Sequence, residues 1–295
     1  MQLLFKPRDS EYIGEGTLPF GTFDEISEWK PMSTLLEKGA GSFPGKTLFR
    51  VADRDGNLNN NFTYKETNDW TNRLANGLYK DYGISKGDTV GIYMLNCPEY
   101  VVSILACHKT GAVQVPINKD EKGERLAYII NYSEMKVIIV DPESVEFIEQ
   151  VADSLEHIKT IFVTGDKARV PDSVKDIACV PFAEFDNYSS ENPGIDVSIE
   201  DAERCMFTSG TTGMPKGVSR NHGGVVLTVR SFIQQQGIRS EDILMSVLTL
   251  GHANAHVMGL FSAIGAGASV VFFPRFSAAN FWKWAHDAGA TYVGL

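Results

Sequence analysis

Thr208-Ser209-Gly210-Thr211-Thr212-Gly213-Met214-Pro215-Lys216-Gly217 is the stretch on which the reading of this chain turns. Glycine admits positive φ and lets a backbone approach a ligand with no Cβ in the way, so Gly210, Gly213 and Gly217 suit a tight, ligand-hugging turn. Successive amides in such a turn form an anion-binding nest. Thr208 opens the loop, Ser209, Thr211 and Thr212 add hydroxyl donors, and Lys216 adds a full positive charge. Hydrogen bonds to charged groups contribute about 1.5–3 kcal/mol each, so a few of them hold a polyphosphate. A flexible linker would also be rich in Gly, Ser and Thr, but Pro215 and Lys216 fit it poorly, as do a strand on entry and a helical pattern on exit. A P-loop requires G-x-x-x-x-G-K-[ST], whereas Lys216 is followed by Gly217. The dinucleotide fingerprint fails too: Gly265-x-Gly267 has Val270 where the third glycine belongs.

Working outward, residues 204–207 read as a short strand into the loop, and helical pattern resumes near His222. Upstream, strand and helix alternate. Residues 46–53 read as a strand, Asp55-Gly56-Asn57 as a turn, and residues 62–64 close a hairpin. Thr63 and Glu66 form a Thr-x-x-Glu capping box, and Trp70, Leu74 and Leu78 give the helix after it an apolar face; Gly83 ends that helix. Strands are expected over 89–94, 112–117, 137–141 and 160–164. Helices are expected over 100–108, 124–132 and 145–155, the first opened by Pro98 and stopped by Gly111. Downstream, 242–247 and 292–295 are strand-like and 281–288 is helical. Apolar strands separated by helices imply right-handed crossovers and a mainly parallel sheet flanked by helices, an α/β fold. The expected division is an irregular segment over 1–43, a first α/β subdomain over 44–186, a polar linker over 187–200, and a partial second α/β subdomain over 201–295.

The 295 residues carry a formal net charge of −10, with 22% charged and 43% hydrophobic, an ordinary globular composition. That acidic balance argues against nucleic acid as a partner, since a phosphate backbone calls for a basic surface; one lysine and a nest of amides still suffice for a nucleotide. Cys97, Cys107, Cys179 and Cys205 make no C-x-x-C pair and no zinc spacing, and read as reduced thiols. Residues 1–10 lack an apolar core and are no secretory signal. The apolar run over 257–273 is interrupted by Gly259, Gly265 and Gly267, so a buried helix, a glycine turn and a buried strand explain it better than a membrane span. A cytoplasmic protein is expected.

The loop resembles the T-S-G-T-T-G-x-P-K-G signature of the adenylate-forming superfamily, which includes acyl-CoA synthetases, luciferases and nonribosomal adenylation domains. Every fixed position is kept. Phe62-Thr63-Tyr64-Lys65-Glu66, Lys86-Gly87-Asp88-Thr89-Val90, Asn96-x-Pro98-Glu99 and Gly111-Ala112-Val113-x-x-Pro116-Ile117-Asn118 resemble other segments of that family. The likeness runs from about Pro44 to Leu295. Within the family, Phe276-Ser277-Ala278 and Phe281-Trp282 look most similar to crotonobetaine/carnitine-CoA ligases.

The resemblance implies the large N-terminal domain of an acyl-CoA synthetase and a two-step reaction: ATP activates a carboxylic acid as an acyl-adenylate, then CoA displaces AMP. It assigns Thr208, Ser209, Gly210, Thr211, Thr212, Gly213, Lys216 and Gly217 to the nucleotide, Lys216 and His252 to catalysis, and Thr211 to Mg²⁺ brought in with ATP. His252 stands in Leu250-Gly251-His252 where the family usually has Pro-x-Phe-His. On a helix His256 would share its face, though a two-histidine metal site would lack a third ligand. His222 is read as support for the loop, Arg220 as solvated, and His108 and Lys109 as positive charge suited to a helix end. The family's later Tyr-Gly-x-Thr-Glu and Thr-Gly-Asp segments and its C-terminal lid domain are not in these residues. The sequence is therefore expected to be a truncated front part, inactive alone. A non-catalytic nucleotide-binding or interaction module is the alternative. The acid is not fixed, with a carnitine-like one first and fatty, aryl and amino acids after it, and a homodimer is left open.

Overall fold

The structure is a computed structural model and describes residues 30–208 and 213–294. The irregular segment expected over 1–29, loop residues Ser209, Gly210, Thr211 and Thr212, and Leu295 lie outside the described residues. Helix α1 (Met32–Ser42) occupies the end of the stretch expected to be irregular, and buries Met32, Leu35 and Leu36. Its glycines hid it: a Cβ on Gly39 would lie 2.5 Å from the Tyr64 ring, so this glycine permits close packing and breaks nothing. Strands β1 (Thr47–Val51) and β2 (Phe62–Thr63) form the expected hairpin, and α2 (Tyr64–Lys80) follows directly. The capping box is present in full, the Thr63 side chain accepting from the Glu66 amide and the Glu66 carboxylate from the Thr63 amide.

The alternation then runs as β3 (Thr89–Tyr93), α3 (Pro98–Thr110), β4 (Val113–Pro116), α4 (Gly123–Tyr132), β5 (Val137–Val140), α5 (Pro142–Glu149) and β6 (Thr160–Val163). The helix expected over 145–155 starts earlier. The Asp141 carboxylate accepts from the Ser144 amide and Pro142 takes the first helical position, a start signal hidden in the end of a strand. Two short strands, β7 (Ser173–Val174) and β8 (Ile177–Pro181), had no counterpart in the sequence reading.

The polar stretch after β8 is tied down. Asn76 Nδ2 on α2 donates to the carbonyls of Ser189 (3.0 Å) and Glu191 (2.8 Å), and Asn72 Nδ2 to that of Ser190 (2.8 Å). Then come β9 (Ala202–Thr208), β10 (Lys216–Asn221), α6 (His222–Gln236), β11 (Ile243–Ser246), α7 (Ala253–Ala255), a π-helical turn His256–Phe261, α8 (Ser262–Ala266), β12 (Ser269–Phe272), α9 (Phe281–Ala288) and β13 (Tyr292–Gly294). The run over 257–273 is thus a buried helix, a turn at Gly267 and a buried strand, as expected.

Among the described residues there are two sheets, ordered β10-β9-β4-β3-β5-β6-β8-β7 and β13-β11-β12-β1-β2. Both are parallel inside, with antiparallel strands at β10, β7 and β2. Sheet membership does not follow the sequential division: β9 and β10 join the strands of residues 89–181, and β1 and β2 join the C-terminal strands. The layering follows from period-two alternation. Val90, Ile92, Val137 and Ile139 face a central core with α2, α3 and α6, and so do Val270 and Phe272 from the other sheet. Tyr93, Ile138 and Val140 face away, onto α4 and α5. Met245, Val271 and Phe273 face α9 through Phe281 and Trp284. The order is helices, sheet, helices, sheet, helix. No helix among the described residues is long and apolar enough to cross a membrane, and all four cysteines are free.

Tyr64 bolts this core. Its buried hydroxyl lies 2.9 Å from the Ala263 carbonyl and 2.8 Å from that of Ala268, joining α2 to the α8–β12 turn. Tyr64→Phe takes this donor from the Ala268 carbonyl, while that of Ala263 keeps the Ala268 amide, at an expected cost of about 1–3 kcal/mol. Urea denaturation checks this: the midpoint drops with no change in slope.

Candidate functional site

The loop is the tip of a β-hairpin. Strands β9 and β10 pair antiparallel, with Lys216 opposite Thr208, Gly217 opposite Phe207, Val218 opposite Met206 and Arg220 opposite Arg204. The expected helical exit from the loop is therefore a strand, and α6 begins only at His222. Thr208 Oγ1 donates across the stem to the Lys216 carbonyl at 3.5 Å. Lys216, Thr208, Gly213 and Gly217 are exposed, while Pro215 is buried. Gly217 does not take the positive φ the sequence suggested. Gly217 serves close approach instead: a Cβ there would lie 2.8 Å from Cys205 Sγ.

The base of the hairpin is closed where β9 begins and β10 ends. The His222 amide donates to the Asp201 carbonyl (3.0 Å) and the Gly223 amide to that of Ile199 (2.7 Å). Asn221 caps α6, its Oδ1 accepting from the Gly224 amide at 2.8 Å. Lys86 Nζ pairs with Asp201 at 2.8 Å, fixing the same corner from outside.

Behind the hairpin lies a buried polar cluster that sequence reasoning missed. Glu203 of β9 has no exposure. His108 Nε2 of α3 donates to its Oε1 at 2.8 Å, and Gln114 Nε2 of β4 donates to the same oxygen. Arg204 Nη1 lies 3.3 Å from Glu203 Oε2, an ion pair without hydrogen-bond alignment. The His222 ring meets the His108 ring edge-on, centroids 4.8 Å apart. His256 Nε2 donates to the Leu250 carbonyl at 2.7 Å. His108, read from sequence as a helix-end charge, is thus wholly buried. Its neighbour Lys109 pairs with Glu37 at 2.6 Å and is also buried. Little in the sequence marked Glu203, which stands second in β9 and just ahead of the strand expected over 204–207.

Burial alone would raise the Glu203 pKa, but the His108 hydrogen bond and the charges of His108 and Arg204 outweigh it and hold the carboxyl well below its usual range. Burial pushes His222 down to about 3, helped by the charge of His108, and pushes His256 down to about 3, helped by that of Arg204. Both imidazoles are neutral at pH 7. His256 is then the Nε2–H tautomer, set by its bond to Leu250.

His252 is exposed and precedes α7, its amide donating to the Thr249 carbonyl at 3.0 Å. It does not form a pair with His256, which is buried; among the described residues no group of three or more His, Cys, Asp or Glu could hold a metal ion. The segment before His252 is placed by Asn96. Its Nδ2 donates to the carbonyls of Leu248 (3.0 Å) and Phe273 (3.1 Å), and its Oδ1 accepts from the Leu250 amide (2.7 Å). Asn96 follows β3, while Leu248 and Phe273 follow β11 and β12, so the carboxyl ends of strands from both sheets meet here. In open α/β sheets that is where ligands bind.

Residues 36–295 match the family described as AMP-binding enzyme. Crotonobetaine/carnitine–CoA ligases of Salmonella agona (strain SL483) and Escherichia coli O139:H28 are each 28% identical to the chain. The matches cover 85% and 82% of it and 48% and 46% of the respective relative. The chain thus spans about half the length of these relatives. The fold is that of an anthranilate CoA ligase, AuaEII, solved with anthranoyl-AMP, at a TM-score of 0.82 and 24% identity over 92% of this chain and 51% of that one. It is also that of the N-terminal domain of FACL13 from Mycobacterium tuberculosis, at a TM-score of 0.77 and 24% identity over 90% and 63%.

The buried imidazoles give a pH dependence with a definite sign. Each is neutral in the fold down to about 3, while in the unfolded chain it protonates near pH 6.5. Between these values the unfolded chain binds more protons, so stability is full above pH 6.5 and lost as pH falls. Each contributes up to about 1.4 kcal/mol per pH unit. His256→Gln, which keeps a donor toward Leu250, is expected to flatten the loss between pH 7 and 5. Urea titrations across that range check it; an unaltered slope contradicts it.

Proposed function

Because the chain belongs to the AMP-binding enzyme family, which it matches over residues 36–295, we propose that it carries the nucleotide-binding part of an ATP-dependent acid–CoA ligase. The observation that bears most weight is the hairpin stem, which sets Lys216 and Thr208 side by side and exposed at the mouth of a Gly-Ser-Thr loop. In the first half-reaction a carboxylate oxygen attacks the α-phosphorus of ATP. The bond to the bridging oxygen breaks and pyrophosphate leaves. In the second, the CoA sulfur attacks the acyl carbon of the adenylate and AMP leaves.

Such chemistry depends on positioning and on neutralising charge. Lys216, the hydroxyls of Thr208, Ser209, Thr211 and Thr212, and the amides at Gly210, Gly213 and Gly217 hold the β- and γ-phosphates in this reading. The donors are hydroxyls and amides with no carboxylate cluster, which fits a hard cation that arrives on the nucleotide. Thr211 would hold Mg²⁺ brought in with the nucleotide, and the ion would supply further charge neutralisation there. His252 lines the approach of the acid, on the segment that Asn96 fixes. A carnitine-like acid is the preferred substrate, since the relatives at 28% identity carry that name; a fatty acid is the alternative.

Lys216→Ala removes one charge-assisted bond and is expected to weaken ATP binding about tenfold or more. Isothermal calorimetry with Mg-ATP on the chain measures it. Unchanged affinity removes Lys216 from the site.

A further inference from the structure

The wholly buried Glu203 carboxylate accepts a hydrogen bond of 2.8 Å from His108, 95 positions away in sequence, that the proposed chemistry does not use. Burying such a group without stabilising contacts is costly, and removing one partner of a buried pair is worse than never having had it. The cluster joins five elements. His108 comes from α3, Gln114 from β4, Glu203 and Arg204 from β9, His222 from the start of α6, and His256 from the π-helical turn. Phe261 of that same turn packs against both His108 (5.1 Å) and His256 (5.4 Å). The two ends of the hairpin are both held in it. The entry strand β9 is held through Glu203 and Arg204. The exit is held through His222, whose ring abuts His108 and whose amide closes the base on Asp201.

β10 is otherwise poorly supported. Among the described residues all six of its residues are exposed, and it is the end strand of its sheet, with β9 as its one paired neighbour. The orientation of Lys216 therefore depends on β9 and on the anchor at His222, and both run into the Glu203 cluster. We infer that Glu203 and His108 are positioning residues for the phosphate loop, setting the stem so that Thr208 and Lys216 meet the β- and γ-phosphates of a nucleoside triphosphate. Neither residue touches the nucleotide; each acts through the hairpin. The inference rests on the reading of the loop as an ATP site.

The test compares ATP with AMP, which lacks the phosphates the loop would hold, in calorimetric titrations of the whole chain. Glu203→Gln keeps the shape and removes the charge. It is expected to weaken ATP about tenfold, the size of coupling seen within one network, and to leave AMP within about twofold. In a Lys216→Ala background the same change is expected to have a smaller further effect on ATP, because one of the two residues through which it acts is gone. His108→Leu removes the donor and follows Glu203→Gln. His108→Gln, whose Nε2 reaches the place of the imidazole Nε2, restores ATP binding. Thermal denaturation identifies any variant that does not fold; should Glu203→Gln fail, the His108 pair carries the test. Loss of ATP and AMP affinity together, full additivity with Lys216→Ala, or His108→Gln no better than His108→Leu would each overturn the positioning role. Wild-type chain that binds no ATP would instead sink the nucleotide reading itself, and the positioning role with it.

Discussion

Glu203 puts an ionised carboxylate at zero exposure in the entry strand of the hairpin, held by donors from α3 and β4 and by the charge of its neighbour Arg204. Everything local to the candidate site is arranged around that constraint. A buried charge tolerates little movement of its partners, because lengthening any one contact exposes the desolvation cost the others were offsetting. Strand β9 is therefore fixed in register against β4 and α3. Strand β10, exposed along its whole length, inherits its place from β9.

The two sheets give the site its surroundings. Their parallel interiors bring strand carboxyl ends together, and Asn96 stitches them with three hydrogen bonds to backbone beyond β11 and β12. The hairpin with Lys216 lies at one edge of the larger sheet, and His252 is carried by the segment following β11 in the smaller one. The proposed reaction, which presents an acid to a nucleotide, calls for such a division of labour, with binding groups on different rigid elements.

Much of this was legible in the sequence where a local signal exists. The loop stood out because glycines, hydroxyls and a lysine at that spacing have few other uses. Helix α2 was legible through Thr63 and Glu66, and the α/β class through apolar runs that lie between two helical layers. Strand β10 was not legible, since an exposed edge strand from Lys216 to Asn221 shows no apolar alternation. Helix α1 was hidden by Gly39, which is there for the Tyr64 ring. The positive φ expected at Gly217 was a reasonable use of glycine, but the demand there is for space beside Cys205. Nothing local links His108 to Glu203, and only the fold brings them together. Sheet membership was opaque for the same reason, because β1 finds its parallel partner β12 some two hundred residues downstream.

The central claim is that the stem formed by Thr208 and Lys216 carries a polyphosphate. A crystal structure of the chain grown with Mg²⁺ and a non-hydrolysable ATP analogue tests it most directly. The expected result is β- and γ-phosphates wrapped by the loop between Thr208 and Gly217, with the Lys216 ammonium in hydrogen-bond contact. A nucleotide seated elsewhere, with this hairpin tip clear of it, would contradict the account.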